Sequence, residues 1–330
     1  MNAKDIDYKL ILTRETGERL NITAIVIGLT WEEQPEELAM RLSFELANTK
    51  HKNEYMSSIL KLLTVITLYA SQGNGYEEVF NGIVWDWTYT SSNEKTISIV
   101  AYDRLIYLQN SKDNKYFSAG TSTADVIRTI CTDWGIPYKY EYDSIKHSKL
   151  LYQRTNVSDM IIKTLKEAQD KLDSKYVLNF KDGMLNIKKQ GQNSIVYFFA
   201  QNQNSLSTKN RLTLDDLVTE VWITGKADNE GRLPIEAKEI GDISYGTLRE
   251  MISRDGDNSL ADAQAEAKKI LKECGKPKEY SNIKTVDVPT VRRGDKIKVE
   301  AGNLIGYFYV LGISHDAESR TMDMEIERVS

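Results

Sequence analysis

Only three histidines occur in the chain, His51, His147 and His315, and none has a second histidine, a cysteine or a carboxylate at the helical i+4 spacing that would let two side chains hold one metal ion. No metal site is expected. The two cysteines, Cys131 and Cys274, lie far apart in sequence, each near the end of an expected helix, and read as small buried thiols rather than as a disulfide or a nucleophile. No Gly-x-Ser-x-Gly elbow is present. Gly73-Asn-Gly75 and Gly231 lack the strand-then-helix context of a phosphate-binding loop, so no nucleotide or other cofactor is expected. What remains is carboxylate chemistry. Glu32 beside Glu33, or Asp86 between Trp85 and Trp87, could form an acid and base pair of the glycosidase kind. With 48 acidic residues in the chain, solvated strand-end carboxylates are the simpler reading, and no residue is assigned a catalytic role. In Ile83-Val-Trp-Asp-Trp-Thr-Tyr89, alternation places Ile83, Trp85, Trp87 and Tyr89 on one strand face. That face is read first as core. If exposed, Trp85, Trp87 and Tyr89 would form a protein interface or a platform for sugar rings. Arg293-Gly-Asp295 reads as a turn.

The elements that carry these residues are mostly strands. From Asp7 to Leu105 six strand-like stretches follow one another: 8–12, 20–29, 39–46, 59–69, 79–89 and 96–102. Met40-Arg-Leu-Ser-Phe-Glu-Leu46 alternates cleanly, and the set reads as a six-strand barrel or sandwich. After Asp103 the period changes. Ser122-Thr-Ala-Asp125 has capping-box spacing before Val126, Ile127 and Ile130, with Gly135 and Pro137 as the stop. A second helix starts near Ser158 and carries Ile161, Ile162, Leu165 and Ala168 at helical spacing. Asp182-Gly183, set between two apolar runs, marks a hairpin over 175–189. The last region opens with strands at 194–200 and 217–225. It then carries one strong helix, 259–274, with Ala261, Ala265, Ala267, Ile270 and Leu271 as its buried stripe. Strands at 283–288, 295–300, 307–314 and 321–329 finish it, and Met322, Met324 and Ile326 alternate with acids there. The expected fold is α+β and mainly β. A first β-barrel module covers 1–105, an α+β unit 106–192, and a second β-barrel module with one packed helix (258–274) covers 193–330.

The balance of 48 acidic against 43 basic residues gives a net charge of -5, which leaves no electrostatic footprint for sequence-specific nucleic-acid binding. No stretch approaches the roughly 18 apolar residues of a membrane span, and Met1 to Tyr8 has no signal-peptide core. A protein made and kept in the cytoplasm, or one that leaves without the ordinary secretory route, is the expectation from residues alone.

Several stretches, in order, resemble phage tail baseplate hub proteins of the late control protein D type, in the form found in Gram-positive myophages, defective prophages and contractile bacteriocins. They are Phe80-Asn-Gly-Ile-Val84, Ala101-Tyr-Asp-Arg-Leu-Ile-Tyr-Leu108, Thr121 to Pro137, Lys175 to Lys189, Leu214-Asp-Asp-Leu-Val-Thr-Glu-Val221, Tyr245-Gly-Thr-Leu248, Ala261 to Leu271, and Arg293-Gly-Asp-Lys-Ile-Lys-Val299 with Gly312-Ile-Ser-His315 and Met322. The resemblance implies a homotrimeric ring whose subunits each fuse two tail-tube-like barrels, assembled discontinuously in some members. Such a ring adapts a sixfold tube to a threefold spike around a central channel. The implied partners are further copies of the chain, the tail tube or distal tube protein, the central spike, the tape measure protein and baseplate wedge components. The implied location is the baseplate of a virion or tail particle. A channel that passes DNA or a tape-measure segment without gripping it should present more acidic than basic side chains. A peptidoglycan-acting hydrolase and a carbohydrate-binding barrel are the readings in competition.

Overall fold

The computed structural model describes residues 6–35, 37–91, 96–254 and 259–329. The protein is mostly β with α+β character, as expected. It divides into two units, one built from residues up to Thr208 together with Asn282 onward, and the other from Lys209 to Ser281.

In the first unit one sheet runs through the strands Thr321–Arg328, Leu304–Asp316, Val26–Glu33, Arg41–Ala47, Thr96–Tyr102, Tyr76–Thr90, Val65–Ser71, Asp7–Thr13 and Arg19–Asn21. The strands pair as their periodicity dictates. Leu42, Phe44 and Leu46 are buried against Ile97, Ile99 and Ala101, while Glu45 and Ser98 face outward and share a 3.0 Å hydrogen bond. The expected strand at 59–69 is shorter, Val65–Ser71. The residues before it form the helical turn α1, Met56–Ile59, and a bend at Leu63 with φ 65°. Leu62 and Leu63 are exposed there, so their apolar run marks a turn rather than a strand.

The two expected barrels are not found as closed sheets among the described residues. The long strand Leu304–Asp316 leaves its partner Lys296–Ala301 and goes on to pair Ile313–Asp316 with Thr30–Glu33. Strands from the two ends of the chain therefore share one sheet. Its apolar side still forms separate clusters, one drawn from 6–101 and one from 199–326.

A third cluster belongs to the α+β elements. These are α2 (Ile106–Asn110), α3 (Thr123–Asp133), α4 (Val157–Leu172), the two-stranded ribbon Lys112–Phe117 with Leu150–Asn156, and the hairpin Tyr176–Lys181 with Met184–Lys189. Ser122 caps α3 by accepting the Asp125 N–H at 3.1 Å, and Asp182 and Gly183, both at positive φ, turn the hairpin.

The second unit is a three-stranded sheet, Ile235–Ile240, Glu220–Thr224 and Arg249–Ser253, covered by α5 (Leu260–Cys274). Ser259 and Asp262 form a capping box at its start. The stripe that α5 buries is Ala263 and Ala267 with Ile270 and Leu271 beside them, packed on Val221 and Ile223. Ala267, Ile270 and Leu271 are in the stripe as expected, whereas Ala261 and Ala265 are exposed and Ala263 is buried instead. Among the described residues no helix is long and apolar enough to cross a membrane.

Candidate functional site

The turn before the strand Lys296–Ala301 holds two adjacent arginines whose side chains run inward. Arg292 meets Glu33 in a fork of two contacts, Nε to Oε2 and Nη2 to Oε1, each 2.9 Å, and the Arg293 N–H adds a third donor to Oε2 at 3.0 Å. Glu33 is 4% exposed. Burial alone would raise its carboxyl, but the Arg292 charge and hydrogen bonds outweigh that and hold it at about 2. The Arg293 guanidinium instead donates to three backbone carbonyls, those of Gln34, Glu37 and Leu178. One turn thus fastens the 33–37 segment and the hairpin strand Tyr176–Lys181 to the C-terminal strands. Gly294 makes this approach possible. It sits at φ +87°, and a Cβ there would lie 2.2 Å from Val177 Cγ2. Asp295 closes the turn by accepting the Arg292 N–H at 2.9 Å.

Asp103 extends the junction. Its two oxygens accept the N–H groups of Met40 at 2.9 Å and Leu105 at 2.8 Å. Burial, reinforced by the charge of Glu33, pushes its carboxyl up to about 7 against those donors and Arg292. A second buried polar chain joins the two ends of the sequence. The Tyr8 hydroxyl donates to Asp287 Oδ2, Asp287 Oδ1 lies 2.7 Å from His315 Nδ1, and His315 stacks on Trp31 at 4.6 Å between ring centres. Burial and Asp287 together raise the Tyr8 hydroxyl. In the α+β elements, Thr123 Oγ1 lies 2.9 Å from His147 Nε2, and His147 Nδ1 lies 2.9 Å from Glu167 Oε2.

That last arrangement has the connectivity of a hydrolase triad, but not its access. Thr123 is 0% exposed and its oxygen already accepts the Ile145 N–H at 3.1 Å. The nominated carboxylates do not form a pair either. Glu33 is committed to Arg292, Glu32 meets Arg41 at 3.2 Å, and Asp86 lies on an exposed strand face. A cleft of about 500 Å³ opens beside the junction. Among the described residues its ionisable side chains are Glu37, Asp159, Lys175, Tyr176 and Arg293, and no described histidine, cysteine, serine or threonine lines it. Among the described residues, no three His, Cys, Asp or Glu side chains gather into a metal-holding group. Cys131 and Cys274 are both free, and burial pushes the Cys131 thiol up to about 12.

The aromatic strand departs from simple alternation. A bulge between Val84 and Asp86 lets two residues face Val100, which reverses the phase of everything after it. Trp85, next to the buried Val84, faces outward by plain alternation, 36% exposed, with its ring edge-on to Tyr107 at 5.6 Å, and the bulge instead carries Trp87 to the buried side. Trp87 stays packed against the first core cluster, and Tyr89 stacks on it at 6.3 Å. The face read as continuous is divided, with Trp85 on one side and Trp87 with Tyr89 on the other.

Residues 29–327 match the model of the YqbQ-like family. The chain belongs to that family. It is 28% identical over 223 residues, 66% of this chain and 67% of the other, to the phage-like element PBSX protein XkdQ of Bacillus subtilis strain 168. The fold of this YqbQ-like chain is similar to that of a 43 kDa tail protein of prophage MuSo2 from Shewanella oneidensis, with a TM-score of 0.73 at 13% identity over 98% of both chains. It is also similar to the Escherichia coli c3393 protein, a type VI secretion component described as structurally similar to phage T4 tail proteins gp27 and gp5, with a TM-score of 0.55 at 9% identity over 93% of this chain and 74% of the other. The YqbQ-like chain thus shares the fold of phage tail proteins. Its junction arginines were not singled out as functional in sequence. The available signal was Arg-Arg-Gly in a turn flanked by strands, where solvated cations are the ordinary expectation.

Proposed function

We propose that this protein is a structural hub subunit of a contractile-tail baseplate, and not an enzyme. Three copies form a ring that joins the sixfold tail tube to a threefold central spike and leaves a channel between them. The modules 1–105, 106–192 and 193–330 are its working parts, the outer two acting as barrel-like tube units that share strands. The observation that carries this reading is the likeness to a phage tail protein over nearly the full length of both chains, taken with family membership over residues 29–327. The chemistry supports it as well. The buried polar groups are spent on fastening segments to one another, which suits a part that must hold its shape under load. Trp85 and Tyr107, exposed edge to face on one side of the strand, are proposed interface residues, with Trp87 and Tyr89 at the other. The tail tube or distal tube protein, the spike, the tape measure protein and wedge components are the proposed neighbours, with assembly in the bacterial cytoplasm and residence in the virion or tail-particle baseplate. Membrane insertion and sequence-specific nucleic-acid binding have no part in it.

Light scattering of the purified protein over a wide concentration range tests the ring. A mass of three chains is expected, at high concentration or with the spike protein added. A single-chain mass under both conditions would overturn it.

A further inference from the structure

The ribbon of Lys112–Phe117 and Leu150–Asn156 is a sheet of two strands alone among the described residues. Its inner face is accounted for, because Phe117 and Tyr152 are buried in the α+β cluster. Its outer face is not. Tyr116 and Leu151 stand directly opposite each other in the register, 63% and 55% exposed. The ribbon is also irregular beside them. A bulge falls between Asp113 and Lys115, and across from it Arg154 sits at φ +49° with its N–H held by Asn114 Oδ1 at 2.8 Å. A left-handed arginine on the surface is strain of the kind that clusters at binding and switch segments.

Charge separates this region from its neighbours. Residues 106–192 carry 14 Lys and Arg against 10 Asp and Glu, whereas residues 1–105 carry 10 against 15. Locally the bias is sharper. The nearby acids Asp113 and Asp133 are both taken by Lys115, at 3.2 and 2.5 Å, while the exposed Lys112, Lys149 and Arg154 show no ion pair among the described residues. An apolar centre flanked by unpaired charges of one sign has the anatomy of a protein interface.

We infer that this face, centred on Tyr116 and Leu151 and flanked by Lys112, Lys149 and Arg154, docks on the acidic first module, residues 1–105, of a second copy of the chain. The contact is heterologous, one surface of each copy meeting a different surface of the next, which is the kind of contact that closes into a ring. The inference rests on the ring reading above and specifies which faces meet.

Two measurements on the full chain test it together. Chain carrying benzoylphenylalanine in place of Tyr116 is mixed with isotope-labelled wild type, irradiated, and its cross-linked peptides are identified. In parallel, the concentration at which wild type and Lys112→Glu/Lys149→Glu associate is read by light scattering at low and high salt. This pair leaves the strained Arg154 untouched, so folding is preserved. Cross-links to residues 1–105 of the labelled copy are expected, with association weakened about tenfold or more in the variant and by salt. Wild type that associates, with an unchanged variant and cross-links elsewhere or nowhere, overturns this face while leaving the ring. Wild type that remains a single chain at every concentration overturns the ring and this face with it.

Discussion

Replacing Glu33 by glutamine should be among the most damaging single changes outside the apolar core. Three N–H groups converge on that carboxylate at 2.9 to 3.0 Å, two of them from the Arg292 guanidinium, whose side chain is only 12% exposed. Glutamine keeps one acceptor oxygen, turns an NH₂ toward donors, and strips the Arg292 guanidinium of the carboxylate it bonds to. Hydrogen bonds to charged groups are worth about 1.5–3 kcal/mol each, and leaving one member of a buried pair alone costs about 3–5 kcal/mol. A loss of about 4 kcal/mol is therefore expected. Arg293 should soften the loss only slightly, since its three carbonyl partners do not depend on Glu33. The assay is urea unfolding followed by tryptophan fluorescence, run on Glu33→Gln, Arg292→Met and the double variant. Urea is chosen because guanidinium chloride would screen the charges. The double variant should cost much less than the two single losses added, because it removes both charges together. A single-variant loss under about 1 kcal/mol, or strict additivity, would refute the view of this pair as the fastening of the junction.

Two further changes at the junction have signs fixed by the structure. Asp103 is raised from 3.8 to about 7, so between those values the folded chain holds more protons than the unfolded one and stability should fall as pH rises. Glu33, lowered from 4.5 to about 2, works in the opposite sense, its contribution being present above 4.5 and lost as pH falls toward 2. Stability measured across pH should thus decline from about pH 4 to 7, and Asp103→Asn should flatten that decline while costing roughly 1–3 kcal/mol at all pH for the lost acceptor. An unaltered slope in Asp103→Asn would assign the decline to other groups. Gly294→Ala combines a positive φ with a Cβ 2.2 Å from Val177 Cγ2, and should cost about 3 kcal/mol in the same unfolding assay. Val177→Ala in that background should restore part of the loss, and an unaffected Gly294→Ala would show that the turn has room to move.

Much of the local structure was legible before any coordinates. Arg41–Ala47 and Thr321–Arg328 alternate because one face of each is buried, and Ser122, Ser259 and the Asp182-Gly183 pair announce helix starts and a hairpin through backbone chemistry that is local to them. What escaped detection was set by partners distant in sequence. The bulge that separates Trp87 and Tyr89 from the face of Trp85 arises from pairing with Thr96–Tyr102 and leaves no mark on its own composition. The union of the two ends of the chain in one sheet needs Ile313–Asp316 to find Thr30–Glu33. Alternation shows that each is a strand, but not that they are neighbours. Arg292 and Glu33 lie 259 positions apart, and neither has a local feature that separates a buried ion pair from two solvated charges.

The distribution of polar chemistry is what the proposed ring subunit would need. Interactions made inside one subunit must survive whether or not neighbours have arrived, so they are best built from groups already desolvated: Glu33 with Arg292, Asp287 with Tyr8 and His315, and His147 between Thr123 and Glu167. Interactions between subunits must form late and in the right register, and water-exposed charges around an apolar centre steer such contacts while costing the free monomer little. The ribbon with Tyr116 and Leu151 has that second character and the Arg292 turn the first. Charge reversal at the ribbon should therefore alter association without altering unfolding, and Glu33→Gln should lower stability before it alters association. A variant of either kind that moved both readouts equally would mean that subunit folding and ring assembly are a single equilibrium.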